Sequence, residues 1–168
     1  MLAFEASKHL LSRINVERFE TIGDGISPLK IQKMLFYLQK TSYSVYNKPF
    51  FDDTIEAWQY GPVIQSIYHQ YKIFGNENIN IVDLHDSIND KQSLDQDELL
   101  IMDFVWDKYN KYTATKLVDL THNDKAWKNN FIDRLNNPIP KEDFMDDNTK
   151  QDFLAYENEL MIISSIEI

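Results

Sequence analysis

Apolar residues in the first part of the chain recur every three or four positions. Leu2, Ala6, Leu10 and Ile14, with Ala3 and Leu11 beside them, predict a helix over residues 2–15 with Ser7, Lys8 and Arg13 largely off its apolar stripe. The polar stretch 15–26, holding Gly23 and Gly25, predicts a loop. Ser27-Pro28 then marks a helix start, because serine can accept from an unsatisfied N–H and proline at the first position loses no hydrogen bond. Ile31, Met34, Leu35, Leu38 and Val45 form one face of this second helix. Leu29, Phe36 and Tyr37 widen that face, which predicts burial on more than one side until Asn47-Lys48-Pro49 stops the helix.

From Phe50 to Tyr60 the period changes. Phe51, Asp53, Ile55 and Ala57 alternate with Asp52, Thr54, Glu56 and Trp58, the pattern of a short extended piece. Gly61-Pro62 is read as a turn that opens a third helix with the face Val63, Ile64, Ile67, Tyr68 and Tyr71, ending near Phe74-Gly75. Residues 76–92 are polar, and the weak alternation of Ile79 and Ile81 fits either a strand pairing with 53–58 or a loop. Ser93-Leu94-Asp95-Gln96 is read as a capping box ahead of a helix carrying Leu99, Leu100, Met102, Phe104, Val105, Trp106 and Tyr109. Helices are expected over Thr115–Leu120, from Asp124 through Trp127, from Pro140 through Met145, and from Asn148 through Leu160, with Asn136-Asn137-Pro138 as a turn. The fold class is therefore mainly α: a compact multi-helix domain over residues 1–168, with room for a small β-hairpin or a short two- to three-stranded sheet.

Composition narrows the functional classes. A chain of 168 residues can bury roughly 70% of its unfolded surface, and an apolar fraction of 43% argues against disorder. The net charge of −10 opposes binding to phosphate backbones, so nucleic acid is a disfavoured partner. The absence of cysteine removes disulfides and thiolate metal sites. No apolar run approaches the roughly 20 residues that span a bilayer, and no signal-peptide block opens the chain, so the cytoplasm is the expected location.

Searches for catalytic patterns return nothing specific. His9, His69, His85 and His122 do not pair at metal-binding spacing, and His85-Asp86 matches a phosphohydrolase dyad in two letters only. Gly23-Asp24-Gly25 lacks the rest of a dinucleotide fingerprint, and neither a P-loop nor a Gly-x-Ser-x-Gly elbow occurs. Asp52, Asp53 and Glu56 could gather a divalent ion only if their side chains converged, and a polar face or turn cap is the expected role. No catalytic residue, cofactor or metal is expected.

Three runs carry a family resemblance: Leu29-Lys30-Ile31-Gln32-Lys33-Met34-Leu35-Phe36-Tyr37, Asn47-Lys48-Pro49-Phe50-Phe51, and Ile55-Glu56-Ala57-Trp58-Gln59-Tyr60-Gly61-Pro62-Val63. A fourth, Leu120-Thr121-His122-Asn123-Asp124 through Ala126-Trp127, follows in order. Together they resemble the Panacea domain, the family of SocA-type antitoxins and phage-associated GepA-like proteins. Phe36 stands where that family usually has tyrosine, and Asn47 where glycine is frequent. The resemblance implies a mainly helical, non-enzymatic protein that neutralises a cognate toxin by direct contact, with an ATP-dependent protease as a further partner if it serves as an adaptor. A phage or prophage conflict protein and a DNA-binding regulator are the alternatives, with a cryptic hydrolase behind them.

The motif residues Lys30, Lys33, Tyr37, Trp58, Tyr60, Gly61, Pro62, His122 and Trp127 are the candidate partner-binding positions. Trp58, Tyr60, Gly61 and Pro62 could form a docking ridge, although core packing is the expected role of the two aromatics. Lys30 and Lys33, with Lys40, are read as a solvated helix edge. His122 is expected to be buried and hydrogen-bonded near Trp127. The apolar tail Leu160–Ile168 is expected to be buried.

Overall fold

In the computed structural model, which describes residues 1–17, 25–80 and 94–166, every residue from Lys30 to Ser42 is buried. That run lies in helix α2 (Pro28–Tyr46). An apolar stripe covers one side of a helix, so burial all the way round requires neighbours on every side. They are α1 (Ala3–Glu17), β2 (Gly61–Val63), α3 (Gln65–Tyr71), α4 (Gln96–Tyr109), α5 (Ala114–His122), α7 (Lys141–Phe144) and α8 (Asp147–Ile166). Tyr37 stacks on Tyr109 with centroids 3.8 Å apart, Phe36 meets Phe144 at 5.9 Å, and Tyr46 meets Phe153 at 6.2 Å. The fully buried ones among them, such as Phe36 and Phe153, contribute roughly 1.5–3 kcal/mol each relative to exposure. The ends of α2 follow its local sequence. Ser27 Oγ accepts from the Lys30 N–H at 3.3 Å, and Asn47 closes the helix in the left-handed region, φ 52°, with its N–H on the Tyr43 carbonyl.

Seven of the thirteen residues in that buried run are polar or charged: Lys30, Gln32, Lys33, Gln39, Lys40, Thr41 and Ser42. Burying such groups is costly without partners, and most have one. Gln32 pairs both ways with the backbone of Ile64, its Nε2 donating to the carbonyl at 3.0 Å and its Oε1 accepting from the N–H at 2.9 Å. Gln39 donates to the Phe51 carbonyl at 3.1 Å and accepts from the N–H groups of Phe50 and Phe51. The two glutamines thus satisfy backbone groups of Ile64, Phe50 and Phe51 that lie outside the strands and helices. Lys30 Nζ donates to the Asn110 carbonyl at 2.6 Å. The expected solvated lysine edge is overturned: Lys33 is 0% exposed, and Lys30 and Lys40 are 5% exposed.

The sheet has three short strands in the order β2-β1-β3. β1 (Glu56–Trp58) pairs antiparallel with β2, in register Glu56↔Val63 and Trp58↔Gly61, and with β3 (Asn137–Pro138), in register Ala57↔Asn137. Two expectations are corrected here. Gly61-Pro62 is not a helix opening but the start of β2, across the Gln59-Tyr60 turn, and α3 begins only at Gln65. Proline is tolerated there because β2 is an edge strand. Asn137-Pro138, read as a turn, forms the opposite edge, and the following Ile139 N–H reaches the Ile55 carbonyl at 2.8 Å.

Elsewhere the helices fall close to their predicted positions with local corrections. On α1 the buried positions are Ala3, Ala6, Ser7, Lys8, Leu10 and Leu11, while Leu2 is exposed. Ser7 faces inward because its hydroxyl bonds the Tyr71 hydroxyl at 2.7 Å, and Lys8 pairs with Glu5 at 2.7 Å. The capping box of α4 is set by Asp95 and Glu98, whose side chains accept from each other's N–H at 2.8 and 2.9 Å; Ser93 lies outside the described residues. The Ile79 N–H goes to the Ile26 carbonyl at 2.9 Å rather than to residues 53–58. Ile81, His85-Asp86 and Gly23-Asp24 lie outside the described residues. The tail is not buried: α8 runs to Ile166 with Met161, Ile162, Ile163 and Ile166 exposed. Among the described residues no helix is long and apolar enough to cross a membrane.

Candidate partner-docking site

The β1–β2 hairpin is clamped by side chains from three helices. From α2, Lys33 Nζ donates to the Pro62 carbonyl at 2.9 Å, two residues before Ile64 with its two-way bond to Gln32. From α5, His122 Nε2 donates to the Gln59 carbonyl at 3.0 Å, since a carbonyl can only accept. From α6 (Lys125–Lys128), Trp127 Nε1 donates to the Trp58 carbonyl at 2.8 Å. Rings continue the clamp: His122 lies 4.3 Å from Trp127, which stacks on Phe131 at 4.5 Å. His122 is hydrogen-bonded as expected but only half-buried.

Gly61 is where this clamp closes. Its φ of 92° is one that side chains disfavour, and an added Cβ would lie 2.7 Å from Thr121 Oγ1 and 2.9 Å from Lys33 Nζ. Gly61→Ala is expected to cost on the order of 2–4 kcal/mol, from backbone strain and overpacking together. Urea unfolding measures it; a midpoint unchanged from the native chain would show that the hairpin does not need this close approach. Complete burial lowers the Lys33 ammonium from its ordinary value to about 7.

With its backbone held, the hairpin presents side chains to an open cleft of about 590 Å³. One wall is Leu29 at the start of α2, and Trp58, Tyr60 and Tyr68 form the aromatic floor. Phe131, Arg134 and Leu135 form the far wall, and Lys72 stands at the rim. Trp58 is half-buried, with its indole N–H on Glu56 at 2.8 Å and its ring 5.5 Å from Tyr68. Tyr60 is 66% exposed, which corrects its expected place in the core. The far wall is ordered by a tight turn, in which Leu135 N–H returns to the Ile132 carbonyl at 3.0 Å and Arg134 takes φ 63°.

The predicted positions thus divide. Trp58 and Tyr60 line the cleft, while Lys33, Gly61, Pro62, His122 and Trp127 fix the hairpin beneath it. Lys30 and Tyr37 are interior and reach neither; burial, chiefly, and then the Asp124 charge push the Tyr37 hydroxyl well above its ordinary value. Leu29, Tyr68, Lys72, Phe131, Arg134 and Leu135 were missed. Leu29 and Tyr68 were assigned to buried helix faces, and nothing local marks residues 131–135 as the wall of a site. The acidic group does not converge. Asp53 accepts from the Ala3 N–H at 2.7 Å and from Ser66, Glu56 accepts from Trp58 and Gln65, and Asp52 lies 3.4 Å from the Met1 amino group.

Residues 31–128 match the family model described as the antitoxin SocA-like Panacea domain. No curated protein matches the chain, and no solved structure does. The match takes in the clamped hairpin, α5, α6 and all of α2 from Ile31 onward, whereas Leu29 and the wall at 131–135 lie beyond its ends. Since the matched stretch is more than half of the sequence, the chain belongs to the SocA-like antitoxin family of Panacea domains.

Proposed function

We propose that this protein is an antitoxin that neutralises a cognate protein toxin in the cytoplasm by direct contact, without turnover, and that the cleft beside the β1–β2 hairpin is its docking face. The observation that carries the reading is the pairing of a rigidly fixed backbone with exposed aromatic side chains. Tyr60 is exposed and Trp58 and Tyr68 flank it, while their hairpin is anchored from α2, α5 and α6. Aromatics presented this way bury much area at low conformational cost. The buried lysines also weaken the DNA-binding alternative, because Lys8, Lys30, Lys33 and Lys40 are withdrawn from a surface that already carries a large acidic excess. An adaptor role toward an ATP-dependent protease requires a second surface, and the exposed apolar end of α8 supports that extension of the reading.

Co-expression with the toxin encoded beside it tests the proposal. The native chain is expected to relieve growth arrest and co-purify with the toxin, and the double variant Tyr60→Asp, Leu135→Asp to lose both while keeping its helical circular dichroism. Persistent arrest with no co-purification of the native chain would sink the reading.

A further inference from the structure

The cleft differs in charge from the molecule around it. The chain as a whole is at −10, yet the charged residues lining the cleft are Lys72, Arg134 and Asp133, a local excess of positive charge. Lys72 is exposed and has no ion-pair partner among the described residues. Asp133 approaches Arg134 Nε only at 3.5 Å, with both side chains more than 70% exposed, a contact that contributes little and competes poorly with an incoming carboxylate. Arg134 is anchored at the cleft through its backbone. Its φ of 63° and the Ile132–Leu135 turn fix its backbone beside the apolar wall made by Leu135 and Phe131. Leu29, Trp58 and Tyr60 line the same cleft with apolar and aromatic surface, beside the uncharged amides of Gln32, Gln59 and Asn76.

We infer that the cleft takes a segment of a protein partner in which an aromatic or leucine anchor is flanked by a carboxylate, the anchor seating between Trp58, Tyr60 and Leu135 and the carboxylate pairing with Arg134 and Lys72. The inference rests on the docking role proposed for the cleft and adds the chemistry of what docks. On total charge alone the expected partner would be basic. Local complementarity reverses that expectation, because pairing and partner discrimination are set at the contact, while net charge acts over a Debye length of about 8–10 Å. Arg134 is the stronger determinant, since a guanidinium fork can grip a carboxylate through two hydrogen bonds, whereas the Lys72 ammonium acts as a point charge.

A displayed random dodecapeptide library, selected on the immobilised full chain and counter-selected on the Lys72→Glu, Arg134→Glu variant, tests this directly. Both substitutions are at exposed positions, and circular dichroism verifies that the variant is folded. Surviving clones are expected to carry Trp, Phe or Leu beside Asp or Glu, to bind the variant at least tenfold more weakly, and to lose affinity for Tyr60→Ser. Clones without acidic enrichment, clones enriched in Lys or Arg, or a failure to recover any that prefer the native chain would overturn the inference. The toxin assay separates this from the antitoxin reading. If the charge-reversed variant neutralises as well as the native chain, the carboxylate inference fails and the antitoxin reading stands. If the native chain does not neutralise, the antitoxin reading fails whatever the peptides show.

Discussion

Replacing Lys40 with methionine is expected to cost about 3–5 kcal/mol of folding stability, the range seen when one partner of a buried ion pair is removed. Lys40 is 5% exposed in the middle of the α2 surface, and its ammonium bridges the carboxylates of Asp124 and Asp146, the latter at 2.6 Å. Both acids organise their own surroundings. Asp124 caps α6 by accepting from the Ala126 N–H at 2.9 Å, and the Asp146 N–H donates to Ser44 Oγ at 3.1 Å just before α8. Burial raises the Asp146 carboxyl, but the hydrogen bond and charge of Lys40 and the Asn148 N–H outweigh it and hold the group below its ordinary value. Methionine nearly preserves the volume, so the loss isolates the charge. Two adjacent carboxylates lose the cation that bridges them. Urea unfolding reads the effect, and a loss under about 1 kcal/mol would show that the pair is dispensable. Adding Asp124→Asn to the Lys40→Met background is expected to recover part of the loss, a positive coupling that independent sites would not show.

Stability is also expected to rise with pH from about 7 toward 10, and Lys33 is the cause. Its folded value is lowered by burial to about 7, against the ordinary 10.5 of the unfolded chain. Between those values the unfolded chain binds a proton that the folded one does not, so the free energy of unfolding increases with pH. Below pH 7 the cost of the buried ammonium is fully present. Each unit of difference corresponds to about 1.4 kcal/mol, which makes the rise on the order of a few kcal/mol. The neutral amine can still donate to the Pro62 carbonyl, so the clamp persists as the charge is lost. With no cysteine in the chain, thiols do not titrate in this window. Above pH 10 the trend reverses. Burial raises the hydroxyls of Tyr37, Tyr71 (to about 12) and Tyr109, so the unfolded chain then loses protons first. Melting temperatures of the native chain and Lys33→Met between about pH 6 and 12 test the assignment. The variant is expected to lose the rising limb and keep the alkaline fall, and parallel curves would refute a role for Lys33.

The helices were legible because their signals are local. Ser27-Pro28 and Asn47 bound α2 where the cap chemistry places them, and Asp95 with Glu98 does the same for α4, two residues from the serine first assigned that role. The lysines of α2 were misread for a physical reason. A charged residue between apolar ones usually lies at a solvated edge, and only the three-dimensional position of the Asn110 and Pro62 carbonyls and of Asp124 and Asp146 reveals that these ammonium groups have partners inside. Gly61-Pro62 was misread because a Gly-Pro pair ahead of apolar residues suits a helix start as well as an edge strand, and the register that decides between them comes from Trp58 across the turn. Half of the site was visible as the aromatic run Trp58–Tyr60. The other half, Phe131–Leu135, meets it only through tertiary packing.

The side chains of α2 that face inward draw their partners from widely separated parts of the chain: residues 48–51, 62–64, 110, 124 and 146. A fragment that stops short of Asp124 leaves the Lys40 ammonium unmet, and one that stops short of Asp146 leaves it only one of its two carboxylates. Forming α2 in its final environment therefore requires closing loops of more than a hundred residues before the reward for closing them arrives. Such a chain gains little from partial order. It should reach its native state in a single late, concerted step, and a nascent chain still lacking α8 would be exposed to proteases until that helix arrives.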